Sequence, residues 1–231
     1  MNREEFGHLL ELEIDQIPKS KHNRPGRIIR PTSVTVHNTS NTDPGADAHA
    51  HARYLKTKGY YEHKGKKIWT SWHYTVDERR IVNHLPIDEE AYHAHSAANT
   101  SSIGIEICMY REIDQDAADL RAARLIAALM YDLGYAIDAV KKHHDWTGKD
   151  CPELLRKSGK WEAFKQLIMS ELGTIDRKAG GRVSAKRQRR KPAARSKPAA
   201  RSKPAARSKP AKGDEDSEHR AIPAEFLSSS Q

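Results

Sequence analysis

The 231 residues are 37% hydrophobic and carry a formal net charge of +9, which allows one domain of ordinary size with an extension and excludes a second large core. No eighteen-residue apolar window occurs, which excludes a membrane-spanning helix, and the two cysteines, Cys108 and Cys151, cannot form a disulfide framework. The charge is unevenly placed: Arg177 to Lys212 holds 15 Lys and Arg and no acid, while residues 1–176 hold 24 bases and 26 acids, so a nucleic-acid reading of the net charge would rest on the tail alone.

In chain order, Met1 to Phe6 carries acids where a secretory leader needs a basic stretch and then an apolar run, so synthesis and retention in the cytoplasm are expected. Phe6, Leu9, Leu10 and Ile14 recur at helical spacing over residues 4–15, before Pro18 and Pro25 break the pattern. Pro31 to His37 alternates as a strand does and ends in the loop Asn38-Thr39-Ser40. Gly45 to Lys58 reads as a helix closed by Gly59. Ile68 to Val76 and Arg80 to Leu85 read as strands around Asp77-Glu78-Arg79, and Ser102 to Cys108 alternates again. Gln115 to Leu133 has the strongest helical pattern and stops at Gly134; a short segment from Ile137 to His144 enters a loop, and Trp161 to Leu172 gives a last helix. Interleaved strands and helices predict an α/β fold, a single domain with a central mixed β-sheet flanked by helices.

Beyond Asp176 the sequence changes character. Lys-Pro-Ala-Ala-Arg-Ser begins at Lys191, Lys197 and Lys203, and a fourth copy breaks off at Lys209. Proline at that period forbids a regular helix and the repeat has almost nothing to bury, so a disordered, extended basic tail is expected. The division is residues 1–26 as an N-terminal helical segment, 27–176 as the chemical domain, and 177–231 as the tail with its short acidic end.

Twelve of the 13 histidines precede residue 177, and most must be ordinary. His37 ends a strand whose other face carries Val34 and Val36, so its ring leaves the sheet where loops gather. His143 and Cys151 stand eight apart in the polar loop His143-His144-Asp145-Trp146-Thr147-Gly148-Lys149-Asp150-Cys151-Pro152. Imidazole nitrogen and thiolate sulfur suit zinc, and three protein ligands leave a fourth position open for water, but this spacing alone is a weak pattern. Glu106 lies among Ile103, Ile105 and Ile107 and points to the opposite face with Gly104, where a carboxylate is costly to bury without a partner.

Four blocks in this order, Val34 to Thr39, Ser71 to Asp77, Ile103 to Cys108 and His143 to Pro152, resemble the zinc-dependent N-acetylmuramoyl-L-alanine amidases of phage endolysins and bacterial autolysins, related to the peptidoglycan-recognition proteins. The resemblance covers residues 28–170. It implies one zinc per chain held by His37, His143 and Cys151, with Asp145 as a fallback ligand. It also implies Glu106 as general base, and Lys149 as the cation that offsets charge on the reacting carbonyl. Trp72, His73 and His93 fall near the substrate groove. Some members have tyrosine where Trp72 stands, and an indole cannot do a phenol's proton chemistry, so Trp72 is a packing or groove residue. His49, His51, His63 and His84 are expected at the surface, and Cys108 as a small strand residue without a catalytic part.

The implied activity is hydrolysis of the amide joining the lactyl group of N-acetylmuramoyl to L-alanine in peptidoglycan, by a monomeric endolysin that reaches the cell wall after release. Two other classes share some of these features. A non-catalytic peptidoglycan binder of the same fold commonly lacks the cysteine found here at Cys151. A nucleic-acid binder would use the tail, which has no interleaved aromatics. No specific nucleic acid is expected as a partner. The tail is expected instead to bind anionic polymers of the cell envelope.

Overall fold

The computed structural model describes residues 1–157 and 159–175; the expected disordered tail, 177–231, lies outside the described residues. The first helix, α1 (Arg3–His8), starts in a reciprocal cap: Asn2 Oδ1 accepts the Glu5 N–H and the Glu5 carboxylate accepts the Asn2 N–H, each at 2.9 Å. The single helix predicted over residues 4–15 is not formed. The chain leaves α1 after His8, passes Glu11 at φ 46°, and becomes strand β1 (Leu12–Ile14). Phe6 and Leu10 enter the core, but Leu12 and Ile14 are 44% and 75% exposed, so no helical face was available to bury them. Residues 1–26 are therefore not a separate helical segment: they supply an edge strand of the main sheet.

That sheet also contains β2 (Ser33–Asn38), β5 (Tyr74–Val76), β6 (Ile81–Asn83), β7 (Ser102–Ile107) and β8 (Val140–Lys142), and its order is β1-β6-β5-β7-β2-β8. Only the β5–β6 pair is antiparallel, so the sheet is mixed as expected. Between β2 and β5 lie helix α2 (Ala48–Thr57) and a small hairpin, β3 (Tyr60–His63) with β4 (Lys66–Trp69). The run Ile68 to Val76 is thus not one strand. Thr70 donates to the Gly59 carbonyl, Ser71 donates to Tyr92 O and accepts the Tyr92 N–H, and these bonds pull the middle of the run out of any ladder.

Short helix α3 (Ser96–Asn99) precedes β7, and α4 (Gln115–Leu133) follows it, capped by Asp114 and ended by Gly134 in the left-handed region at φ 70°. A 3-10 turn (Ile137–Ala139) leads into β8, then come α5 (His144–Thr147), α6 (Glu153–Lys157) and α7 (Trp161–Thr174). Alternation along the strands divides the sheet into two faces. Val34, Val36, Ile103, Ile105, Ile107 and Val76 pack with Ile126, Met130, Phe164 and Ile168 of α4 and α7. On the other face α2 packs on β5 and β6, where Ala48 and Ala52 meet Val82. The β7-β2-β8 end is met by loops and the short helices of the same segments, and the chemistry gathers there.

Candidate metal centre and active site

His37 is the fifth residue of β2 and, being one step out of phase with Val34 and Val36, projects away from α4 and α7. The loop after β8 folds over the same strand end. His143 donates its backbone N–H to Val36 O (3.3 Å), the Trp146 indole donates to Thr35 Oγ1 (2.9 Å), and Leu154 donates to the Asn38 side-chain oxygen (3.1 Å). Gly148, at φ 79°, reverses the chain after α5, and the His144 N–H reaches Cys151 O at 3.0 Å. Thus two ends of one loop are clipped to one strand, and three side chains converge.

His37 Nδ1 lies 3.0 Å from His143 Nδ1 and 3.7 Å from Cys151 Sγ, and the three donor atoms all lie within 4.8 Å of one another. Tetrahedral zinc, with Zn–N and Zn–S bonds of about 2.0 and 2.3 Å, would separate such donors by roughly 3.3 Å (N to N) and roughly 3.6 Å (N to S). The spacing and the donor set therefore fit a metal ion. All three residues are buried, at 1%, 1% and 2% exposure. Burial, followed by the nearby Glu106 charge, pushes the Cys151 thiol up to about 12, a cost that a bound cation would offset by favouring the thiolate. Asp145 does not join the cluster: it accepts the Lys142 N–H at 2.9 Å and pairs with Lys142 Nζ at 3.1 Å.

Parallel pairing puts Glu106 of β7 level with His37 of β2. Its Oε1 lies 3.9 Å from His37 Nδ1 and its side chain is 13% exposed, while Oε2 is buried with no hydrogen-bond partner among the described residues. Burial raises its carboxyl well above the ordinary carboxylate range, and the Lys149 ammonium pulls it part of the way back. Lys149 and Glu106 line one cleft with His37, His143, Cys151, Trp72 and Tyr61.

Trp72 forms part of that wall; its indole donates to Thr75 Oγ1 at 2.7 Å. His73 and His93 do not line the cleft. His73 is fully buried, accepting the Gly104 N–H on Nδ1 and donating from Nε2 to Glu89 O, both at 2.9 Å; burial lowers its pKa to about 4. His93, 1% exposed, stands behind His37, with its Nδ1 3.0 Å from His37 Nε2. His51 and His84, expected at the surface, are fully buried beneath Trp72. Each meets a polar partner: His51 Nδ1 the Asp47 carbonyl, and His84 Nε2 the Thr75 hydroxyl, both at 2.8 Å. A neutral imidazole with one nitrogen bonded in this way can be buried, which a sequence pattern does not reveal. Cys108 is buried beside Ala46 and Tyr110 and is not in the donor cluster.

Part of the cleft wall carries little signal in the sequence. Thr39, Tyr54 and Thr70 line it, and Thr39 Oγ1 is buried without a hydrogen-bond partner among the described residues. Only Thr39, two residues after His37, carried a positional signal.

A family model described as N-acetylmuramoyl-L-alanine amidase matches residues 27–154, more than half of the chain. This chain belongs to that family. Among curated relatives of this chain, the N-acetylmuramoyl-L-alanine amidase XlyA of Bacillus subtilis (strain 168) is 43% identical over 65% of this chain and 48% of its own length. The amidase CwlH of the same organism is 40% identical over 70% and 62%. The chain therefore spans about half to three-fifths of the curated relatives it matches. The solved catalytic domain of XlyA superposes with a TM-score of 0.61 at 42% identity, covering 68% of this chain and 98% of that one. No helix among the described residues is long and apolar enough to cross a membrane.

Proposed function

We propose that the chain is a zinc-dependent hydrolase that cuts the amide between the lactyl group of N-acetylmuramoyl and L-alanine in bacterial peptidoglycan. The observation that carries this reading is the convergence of two imidazole nitrogens and a thiol beside a buried carboxylate oxygen with no hydrogen-bond partner among the described residues. Held by His37, His143 and Cys151, zinc would polarise a carbonyl and lower the pKa of water from about 16 to about 7.

The rest of the chemistry falls to the chain's own residues. Glu106 takes a proton from the attacking water and delivers it to the leaving alanine nitrogen, which suits a carboxyl whose pKa stands above the ordinary range. Lys149 offsets negative charge developing on the carbonyl oxygen. Trp72 and Tyr61 wall the cleft along which a glycan strand with its stem peptide would lie. The relatives named as amidases support the same bond as the target. Digestion of purified peptidoglycan tests it: new alanine amino groups should appear and no new reducing sugar ends. Reducing ends without free alanine would make the enzyme a glycosidase.

The Lys/Arg-rich segment after residue 176 belongs to the same proposal, as a polycation that concentrates the enzyme, as a monomeric endolysin released from the cytoplasm, on anionic envelope polymers. Truncation there should weaken action on intact walls but not on soluble fragments. The difference should fade as salt screens exposed charges within about 8 Å. A difference that persists unchanged at high salt would rule out a charge mechanism.

A further inference from the structure

We propose that His93 is a positioning residue for the metal centre: its Nδ1 accepts the Nε2–H of His37 and so holds His37 in the tautomer that presents a bare Nδ1 to the donor cluster. The inference rests on the metal reading given above and concerns what makes that centre work.

His37 divides its two nitrogens between two jobs. Nδ1 faces His143 Nδ1 at 3.0 Å and Cys151 Sγ at 3.7 Å, while Nε2 lies 3.0 Å from His93 Nδ1. A neutral imidazole carries its proton on one nitrogen only. For Nδ1 to act as a ligand the proton must sit on Nε2, which then needs an acceptor in a place that is 1% exposed. His93 Nδ1 supplies that acceptor when the His93 proton is on Nε2. A ligating histidine whose second nitrogen is held in this way keeps both its tautomer and its ring orientation.

The surroundings of His93 hold the ring in that place. The side-chain oxygen of Asn99, in α3, accepts the backbone N–H groups of both His93 and Ala94 at 3.0 Å, which clamps the loop. The ring lies over Gly104 of β7, where an added Cβ would come within 2.7 to 2.9 Å of three His93 ring atoms. Gly104 does not adopt a positive φ, so room for the ring, and not backbone freedom, is what a glycine provides in this mid-strand position. Beneath it, His73 ties the Gly104 N–H to the Glu89 carbonyl, its ring 6.2 Å from that of His93. Asn99, Gly104 and His73 therefore fix the ring that fixes His37.

The test uses the full chain and zinc as the probe. In chelator competition, His93→Leu, which keeps bulk and removes the acceptor, should raise the zinc Kd by about 10- to 100-fold. His93→Asn, whose side-chain oxygen lies at the same bond distance as Nδ1, should recover most of that loss. A ring serving only to fill space would be replaced as well by leucine as by asparagine, or better. Should His93→Leu fail to fold, Gly104→Ala displaces the ring by another route and should weaken zinc binding in the same sense. Nitrogen NMR on the wild-type chain needs no variant: the His37 Nε2 should carry the proton with or without zinc, with a coupling across the hydrogen bond to His93 Nδ1. A His37 ring protonated on Nδ1 in the zinc-free chain, or a His93→Leu protein that folds and binds zinc as tightly as wild type, overturns the assignment. A wild-type chain that binds no zinc overturns the metal reading instead, and the tautomer measurement then decides the His93 contact by itself.

Discussion

The two faces of the β2–β7 pair share a backbone and differ in every other respect. On one face Val34, Val36, Ile103, Ile105 and Ile107 are wholly buried against α4 and α7. On the other, one residue out of phase, Thr35, His37, Gly104 and Glu106 hold up a buried polar site. The apolar face gains from every group removed from water. The polar face gains nothing from burial itself: it buries imidazoles, a thiol and a carboxyl, whose cost hydrogen-bonding neighbours lower and a bound cation would lower further. Stability and chemistry are kept apart here by a single step along a strand.

Loss of a donor should break the comparison most completely. Cys151→Ser or His37→Ala should reduce zinc content and turnover to background, as a chelator should reversibly do to the wild type. The metal-free fold should persist, because neither side chain belongs to the apolar core. Metal analysis and circular dichroism on the same samples check both halves; wild-type zinc content in Cys151→Ser would remove the cysteine from the site. Next in size, Glu106→Gln should keep zinc and lower turnover by roughly 10²–10⁴. A variant near wild-type rate would mean that the base lies elsewhere.

The opposite face should answer in stability instead of rate. Ile105→Ala should cost about 2–5 kcal/mol by denaturant titration. Its zinc content and its turnover well below the melting temperature should stay near wild type. Parallel losses of zinc and stability in this variant would show that the two faces are not independent.

A smaller effect should appear in acid. Burial holds His84 at about 3 and lowers His51 as well, against an ordinary value of 6.5. Below pH 6.5 the unfolded chain takes up protons that the folded one refuses, so stability falls with pH from 6.5 toward about 3. His84 contributes a slope of about 1.4 kcal/mol per pH unit well inside that window, and His51 acts in the same direction. Unfolding free energies measured from pH 7 to pH 4 should be less steep for His84→Gln than for the wild type. An unchanged slope would mean that His84 is accessible to protons in the fold.

Much of the fold was legible because it is set by local pattern. Helix α4 runs from Gln115 to Leu133 and stops at Gly134, as its periodicity and terminator predict, and β2 and β7 alternate over the residues whose spacing announces them. The same alternation put His37 and Glu106 on the face away from the isoleucines. Local pattern failed where a partner elsewhere in the chain decided the outcome. Residues 12–14 are a strand because β6 offers an edge, and Thr70 and Ser71 leave the ladder because Gly59 and Tyr92 hold them.

Which residue types were available for chemistry, and which phase of each strand they occupied, follow from the chain's order alone, through side-chain identity and a period of two. Tertiary structure alone decided which of twelve histidines before residue 177 would meet. His37 and His143 are brought together by the pairing of β2 with β8, and His93 is brought behind them by a loop clamped to Asn99. His51 and His84 go into a second buried layer under Trp72. An imidazole carries no mark in sequence of the partner that will satisfy its nitrogens. That partner comes from another strand or loop, and only the folded chain brings it within 3 Å.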